Sequence, residues 1–227
     1  MRKYDVERVR ATQKKALEIL KYFKSVCDAH NIRFYVGSGC CIGAVRNKGF
    51  IPWDDDINQG LQIDLIPLDR SADGFWPHTK QIFWAMVYSL FNAQRLPDNQ
   101  GKMTRLISKF AYKVISSKET RYKLWRLAER KMIISPNAKW TYYTELVTGF
   151  KGLSLKYPKE FYQHPQYIDF EDIRIPVSTC YKEYLNMVFG DYMKLPPEKE
   201  RVPKHNTVFV DFDNSYTKYK GIHYLKK

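Results

Sequence analysis

The 227-residue chain has few cysteines, few acids for its number of bases, and no long apolar run. Its four cysteines, Cys27, Cys40, Cys41 and Cys180, form no Cys-x-x-Cys pair and keep no finger-like spacing with His30, His78, His164, His205 or His223, which excludes a zinc finger or a disulfide framework. They read as reduced, mostly buried thiols. No apolar stretch approaches the roughly 18 residues of a membrane span, and Met1-Arg2-Lys3-Tyr4-Asp5 lacks the apolar core of a signal peptide, so the expected location is the cytoplasm. Repeats and low-complexity tracts are absent. Acids are the scarce charge: 24 Asp and Glu face 38 Lys and Arg, a formal net charge of +14. That excess asks for an anionic partner, whether nucleic acid, lipid headgroups or a phosphate-bearing substrate. The bases run from Arg2 and Lys3 to Lys226 and Lys227 without a compact tract, so no specific nucleic-acid arm is marked. A solvated basic surface explains the same charge, and so does peripheral contact with an anionic inner membrane face.

The scarce acids are nevertheless bunched. Asp54, Asp55 and Asp56 are adjacent, repel one another, and contribute nothing to packing, so a neutralising partner is expected, and a divalent cation is the natural one. Arg33 to Val36 reads as a short strand. Gly37, Ser38 and Gly39 then let backbone N–H groups approach an anion at the start of a helix, Cys40 to Val45, which makes this turn a phosphate seat. Pro52 ends that element, and Phe50, Ile51 and Trp53 anchor a strand carrying the acids. Side chains alternate along a strand, so Asp54 and Asp56 share a face about 7 Å apart, close enough to hold one hard cation together with phosphate oxygens. Ile63-Asp64-Leu65 supplies a third acid from an apolar strand, as a metal ligand or as a general base for an acceptor hydroxyl.

The run from Gly43 through Ile51-Pro52-Trp53-Asp54-Asp55-Asp56-Ile57 closely resembles the signature of the LicD family of phosphotransferases. That family includes bacterial phosphocholine transferases and the fukutin-related ribitol-phosphate transferases. The likeness continues at Ile63-Asp64-Leu65-Ile66-Pro67-Leu68-Asp69 and at Phe189-Gly190-Asp191-Tyr192-Met193-Lys194-Leu195-Pro196-Pro197, with Arg201 and His205, so it spans most of the chain. The resemblance implies an α/β (α+β) protein with a nucleotidyltransferase-like mixed sheet core and an additional helical region. It implies Mg²⁺ or Mn²⁺ held by Asp54, Asp56 and Asp64. Gly37, Ser38, Arg46 and Lys48 would hold the phosphates of a CDP-linked donor, with Arg201 and His205 at the leaving nucleotide. An acceptor hydroxyl on a cell-surface glycan (teichoic acid, capsule or lipopolysaccharide) attacks the donor's β-phosphorus and CMP leaves. A nucleotidyltransferase acting on RNA or protein, or a degenerate noncatalytic nucleotide-binding member, is the alternative.

Two departures stand out. Asn58 replaces an acid usual in the family, and Asn is a poorer ligand for a hard cation. Only Gln59 to Gln62 separate the acidic run from Ile63, where the family has several tens of residues. Either Asn58-Gln59-Gly60 turns a hairpin, or a segment between Ile57 and Gly60 is absent together with the second acid; the second reading is the one favoured here.

Elsewhere, apolar spacing predicts a long helix over Val6 to Ala29, then helices at Phe75 to Phe91, Met103 to Ile115 and Thr120 to Met132, with Trp76, Trp84 and Trp125 as core residues. Strands are expected at Thr141 to Val147 and Ile173 to Val177, followed by a helix capped by Ser178 and ended by Gly190. The expected organisation is a catalytic core at 1–70, a helical region at 71–135 and, at 136–227, the remainder with a C-terminal arm, all within one continuous domain.

Overall fold

The computed structural model describes residues 3–54, 64–92, 102–148, 150–201, 211 and 214–222. In chain order the elements are α1 (Lys3–Ala29), α2 (Ser38–Asn47), β1 (Asp69–Ser71), α3 (Phe75–Asn92), α4 (Lys102–Val114), α5 (Lys118–Met132), β2 (Tyr142–Thr144), α6 (Phe150–Ser154), β3 (Tyr157–Pro158), β4 (Gln166–Phe170), β5 (Ile173–Val177) and α7 (Tyr181–Phe189). Helix outweighs strand, 55% to 10%, which makes the fold α+β. Chain contacts divide it into two compact units, one of Met1–Asp64 with Tyr162–Lys227 and one of Leu65–Phe161.

The first unit is built on the β4–β5 hairpin, whose register pairs Phe170 with Ile173 around a two-residue turn, Glu171-Asp172. Glu171 adopts φ 53°, the left-handed conformation that such a tight connection needs. Phe170, Ile175 and Val177 are fully buried, each worth about 1.5–3 kcal/mol of transfer free energy. α2 packs against β4 and α7. The Phe50 ring meets Phe170 edge-on at 4.8 Å, which ties the segment after α2 to the same core. α1 buries Val9, Gln13 and Cys27 on one side.

The second unit holds a three-stranded antiparallel sheet in the order β1-β2-β3. α3 packs on α5 and on α6. Ala85, Met132, Leu146 and Leu153 form its buried cluster, with Trp84 and Tyr88 against it. The buried Gln81 side chain is its polar tie: the amide nitrogen donates to the carbonyls of Arg70 (2.8 Å) and Met132 (3.0 Å), and its oxygen accepts from the Ala72 N–H at 2.8 Å.

Several expectations are corrected. Among the described residues every strand pair is antiparallel, so no mixed sheet is seen there. Residues 33–36 are extended but not a strand, although the Val36 N–H donates to the Pro176 carbonyl. Residues 64–68 are irregular, with Asp64, Leu65 and Ile66 exposed; Pro67 lacks a donor, and pairing begins only at Asp69. The strand expected over Thr141 to Val147 is confined to β2. Ser178 does not cap α7: its hydroxyl accepts from the Cys180 N–H, and Cys180 holds the N-cap position. Trp76 is 78% exposed rather than core, and Cys40 is exposed while Cys27 and Cys41 are buried.

Candidate functional site

Five of the residues singled out in the sequence, Gly37, Ser38, Arg46, Asp54 and Arg201, lie around the two ends of α2. Gly37 is its N-cap, with no side-chain cap bond, and Ser38 opens the helix at φ 51°, a strained conformation for a residue with a Cβ. The Ser38 N–H donates to the Tyr184 hydroxyl on α7 at 3.0 Å. A Cβ on Gly37 would come within 2.9 Å of that hydroxyl, so the close approach needs glycine here. A Cβ on Gly39 would lie 3.3 Å from the Asp54 carboxylate, which places this acid at the N-terminal end of the helix. The positive end of the helix dipole favours a negative charge at that point.

The loop from Lys48 to Asp54 that carries this acid is braced from two sides. Lys48 ends α2 in the left-handed conformation, φ 55°, and its carbonyl accepts from the Glu171 N–H at 2.8 Å. The Glu171 carboxylate accepts from the Phe50 N–H at 3.1 Å, and a Cβ on Gly49 would fall inside that carboxylate. Arg10 of α1 holds the carboxylate by two bonds of 3.0 and 2.8 Å and also donates to the Gln13 side-chain oxygen at 3.2 Å. Gln13, only 2% exposed, turns its NH₂ group to the carbonyls of Ile51 (3.0 Å) and Asp54 (3.1 Å). The Arg10 hydrogen bonds and the Phe50 amide hold the Glu171 carboxyl below the ordinary carboxylate range, against a burial effect that raises it.

At the other end of α2, two cations share one aromatic ring. The guanidinium carbons of Arg46 and Arg201 lie 5.7 and 5.9 Å from the Trp53 ring centre, within cation–π range. Arg46 donates to the Asn47 side-chain oxygen (3.2 Å) and the Tyr192 carbonyl (3.3 Å), and Arg201 donates to the Pro196 carbonyl (2.8 Å). These acceptors are all neutral. Burial, and then the nearby Arg201, lower the pKa of Arg46. The arrangement suits an anion, since a phosphate accepts bidentate bonds from guanidinium groups and relieves their mutual repulsion.

Gly37, Ser38, Arg46, Asp54 and Arg201 thus gather around α2 and Trp53, whereas Lys48 is exposed and contributes its backbone. Asp64 lies in the exposed irregular stretch. Asp55, Asp56, Asn58, the link from Gln59 to Gln62, and His205 lie outside the described residues. Among the described residues, no group of three or more His, Cys, Asp or Glu could hold a metal ion. A carboxylate such as that of Asp54 is the hard oxygen donor that Mg²⁺ takes.

Residues 31–178 match the family described as LicD/FKTN/FKRP, nucleotidyltransferase domain. The chain belongs to this family. Within it, the chain is 28% identical to a Haemophilus influenzae protein named lipopolysaccharide cholinephosphotransferase LicD, a match covering 87% of this chain and 96% of that protein. The alignment extends over 255 positions, more than the 227 residues of the chain, so the Haemophilus protein has stretches with no counterpart here. A shorter likeness, 39% identity over 59 residues, links 25% of the chain to an uncharacterized Rickettsia typhi protein, covering 19% of the latter. No solved structure matches the chain. The chain also uses residues that motif reading passed over, namely Arg10, Gln13, Tyr184 and Glu171, while Trp53 and Tyr192 enter that reading only as parts of motifs. Of these, Gln13 alone left a signal, a polar residue four places after Val9 and three before Ala16 on the apolar stripe of α1.

Proposed function

We propose that this protein transfers a substituted phosphate, phosphocholine foremost, from a CDP-linked donor to a sugar hydroxyl of a cell-surface glycan such as lipopolysaccharide. The observation that carries the reading is the pair Arg46 and Arg201 on the Trp53 ring, one residue before Asp54: two cations whose hydrogen-bond acceptors among the described residues are neutral, beside the acid of the family motif. The Haemophilus relative's name supports phosphocholine as the group and lipopolysaccharide as the acceptor. The family match supports a nucleotidyltransferase-like core.

In this reading Arg46 and Arg201 bind the donor diphosphate and orient it toward Asp54. The acceptor oxygen forms a bond to the β-phosphorus as the bond from that phosphorus to the CMP oxygen breaks, and CMP departs with the electron pair. Asp64 takes the acceptor proton. A divalent cation held by Asp54, Asp56 and Asp64 would neutralise charge on the phosphoryl oxygens when bound. Tyr184 holds the start of α2, and the Glu171–Arg10–Gln13 chain holds the loop that presents Asp54.

The test is incubation with a panel of CDP-linked donors, a glycan acceptor and Mg²⁺ or Mn²⁺, scored by CMP release and by mass gain on the acceptor. CMP release that needs both acceptor and metal supports the reading. Nucleotide found attached to RNA or protein instead would replace it with the nucleotidyltransferase alternative, and no turnover with any donor would favour the noncatalytic one.

A further inference from the structure

We propose that the exposed face of α4 is a docking surface for an anionic lipid bilayer. α4 is held to its unit along one side. Ser108 is buried there, the Tyr112 hydroxyl donates to the Leu90 carbonyl at 2.6 Å, and the Tyr112 ring lies 6.3 Å from that of Phe91. The other side carries Leu106, Ile107, Phe110 and Val114, which are 57 to 69% exposed. At 3.6 residues per turn these four positions fall within an arc of about 100°. Arg105, Lys109 and Lys113, also exposed, fill the arc between this apolar strip and the buried side. Travelling round the helix, one meets a buried face, a basic stripe and an apolar stripe in turn.

Single exposed apolar residues are ordinary, but a contiguous strip marks a contact surface. The charge beside the strip identifies its occupant. From Lys102 to Lys118 the sequence contains five basic residues and no acid, so both stripes suit a surface that is apolar inside and anionic outside. Lys and Arg stems lie along the apolar surface while their charged ends reach lipid phosphates, and the Leu, Ile, Phe and Val tips sink below the headgroups. The net charge of +14 adds long-range attraction to the same surface. Among the described residues no helix is long and apolar enough to cross a membrane, so α4 would lie in the interface. The inference adds a partner to the proposed transferase. Because docking is read without turnover, failure of either leaves the other standing.

The experiment is co-sedimentation of the full chain with vesicles of phosphatidylcholine alone or of phosphatidylcholine mixed with phosphatidylglycerol. Binding to the anionic vesicles is expected, with a drop of about tenfold or more for Leu106→Ser combined with Phe110→Ser, because partition scales with the apolar area inserted. Lys109→Glu combined with Lys113→Glu is expected to fall by a similar factor. Unchanged melting temperatures would show that both variants remain folded. As a second readout, an environment-sensitive dye on Phe110→Cys should shift to the blue on anionic vesicles. The proposal is overturned if the wild type stays in solution with anionic vesicles, or if the serine pair binds as well as the wild type. It is equally overturned if the wild type is a dimer that the serine pair splits, which would give the face to a second copy of the chain.

Discussion

Arg10 and Glu171, 161 residues apart in sequence, meet in a two-pronged ion pair with bonds of 3.0 and 2.8 Å, and through it the first helix grips the turn of the β4–β5 hairpin. The same carboxylate accepts the Phe50 N–H, so the pair also fixes the path into the acidic loop.

That pair makes stability acid-sensitive. The folded pKa of Glu171 is depressed below its ordinary 4.5, so its contribution is complete above about that pH and is lost as pH falls through the lower folded value. Glu171→Gln should cost about 1 kcal/mol at neutral pH, a modest figure because the Arg10 side chain is 62% exposed, and should lower the melting temperature by about 2–4 °C. Below pH 4.5 the gap between variant and wild type should narrow. Thermal melts across the acid range check this, and a gap that widens on acidification would contradict it.

Gln13→Leu should be costlier. It removes the Gln13 donor from the Ile51 and Asp54 carbonyls in a half-buried site, at about 1–3 kcal/mol. Because those carbonyls belong to the loop that presents Asp54, the half-saturating Mg²⁺ or Mn²⁺ concentration should rise as well. A melting-temperature loss with unaltered metal dependence would show that Gln13 serves stability alone.

Arg201→Ala should raise the KM for the CDP-linked donor by roughly 10–100-fold, the worth of a charge-assisted bond to phosphate. The double variant Arg46→Ala with Arg201→Ala should lose less than the product of the two single effects, since removing either arginine relieves the repulsion that lowers the pKa of Arg46. Arg201→Lys should recover little, because an ammonium neither stacks on Trp53 nor forks to two oxygens. Steady-state CMP release is the measurement.

Asp54→Asn should abolish transfer with little change in melting temperature, since it removes a ligand, while relief of repulsion from the adjacent acids offsets the lost attraction to the helix dipole. Asp56→Asn is expected to act in the same way. Loss of activity accompanied by a collapse in melting temperature would assign these acids a structural role.

The two adjacent cysteines should differ sharply toward maleimide. Burial, and then the neighbouring Cys40, push the Cys41 thiol up to about 12, so at pH 8 roughly one in ten thousand of its sulfurs is the reactive thiolate. Cys40 is exposed and should be labelled first, as peptide mass spectrometry would reveal.

Much of the framework could be read ahead of the structure where a residue's neighbours in sequence settle its environment. α1, α3, α4 and α5 follow the apolar spacing to within three residues at each end, and β5 has the expected limits, Ile173–Val177. Strands fared worse because pairing depends on distant chain. β4 was hidden by Asp169 and the charged turn behind it, and residues 65–68 have apolar side chains but no partner strand among the described residues. Within the site, the glycines and Asp54 carried their meaning in a local motif. Glu171 carried none, because one acid among several in a charged turn looks solvated until Arg10 and the Phe50 amide are placed around it. Trp76 misled for the converse reason: aromatic character predicts burial only where a neighbouring element exists to cover it.

The order in which the polypeptide is made bears on how the acidic loop matures. The unit that contains it is discontinuous in sequence, residues 1–64 and 162–227, whereas the other is a single stretch, 65–161. At translation rates of about 5–20 residues per second, Glu171 emerges on the order of ten seconds after Asp54. During that interval the contiguous stretch can fold from nearby contacts, but the loop lacks its hairpin clamp, and closing so wide a sequence gap is slow. A nascent chain would therefore brace the loop that presents Asp54 late, after most of its length has been synthesised.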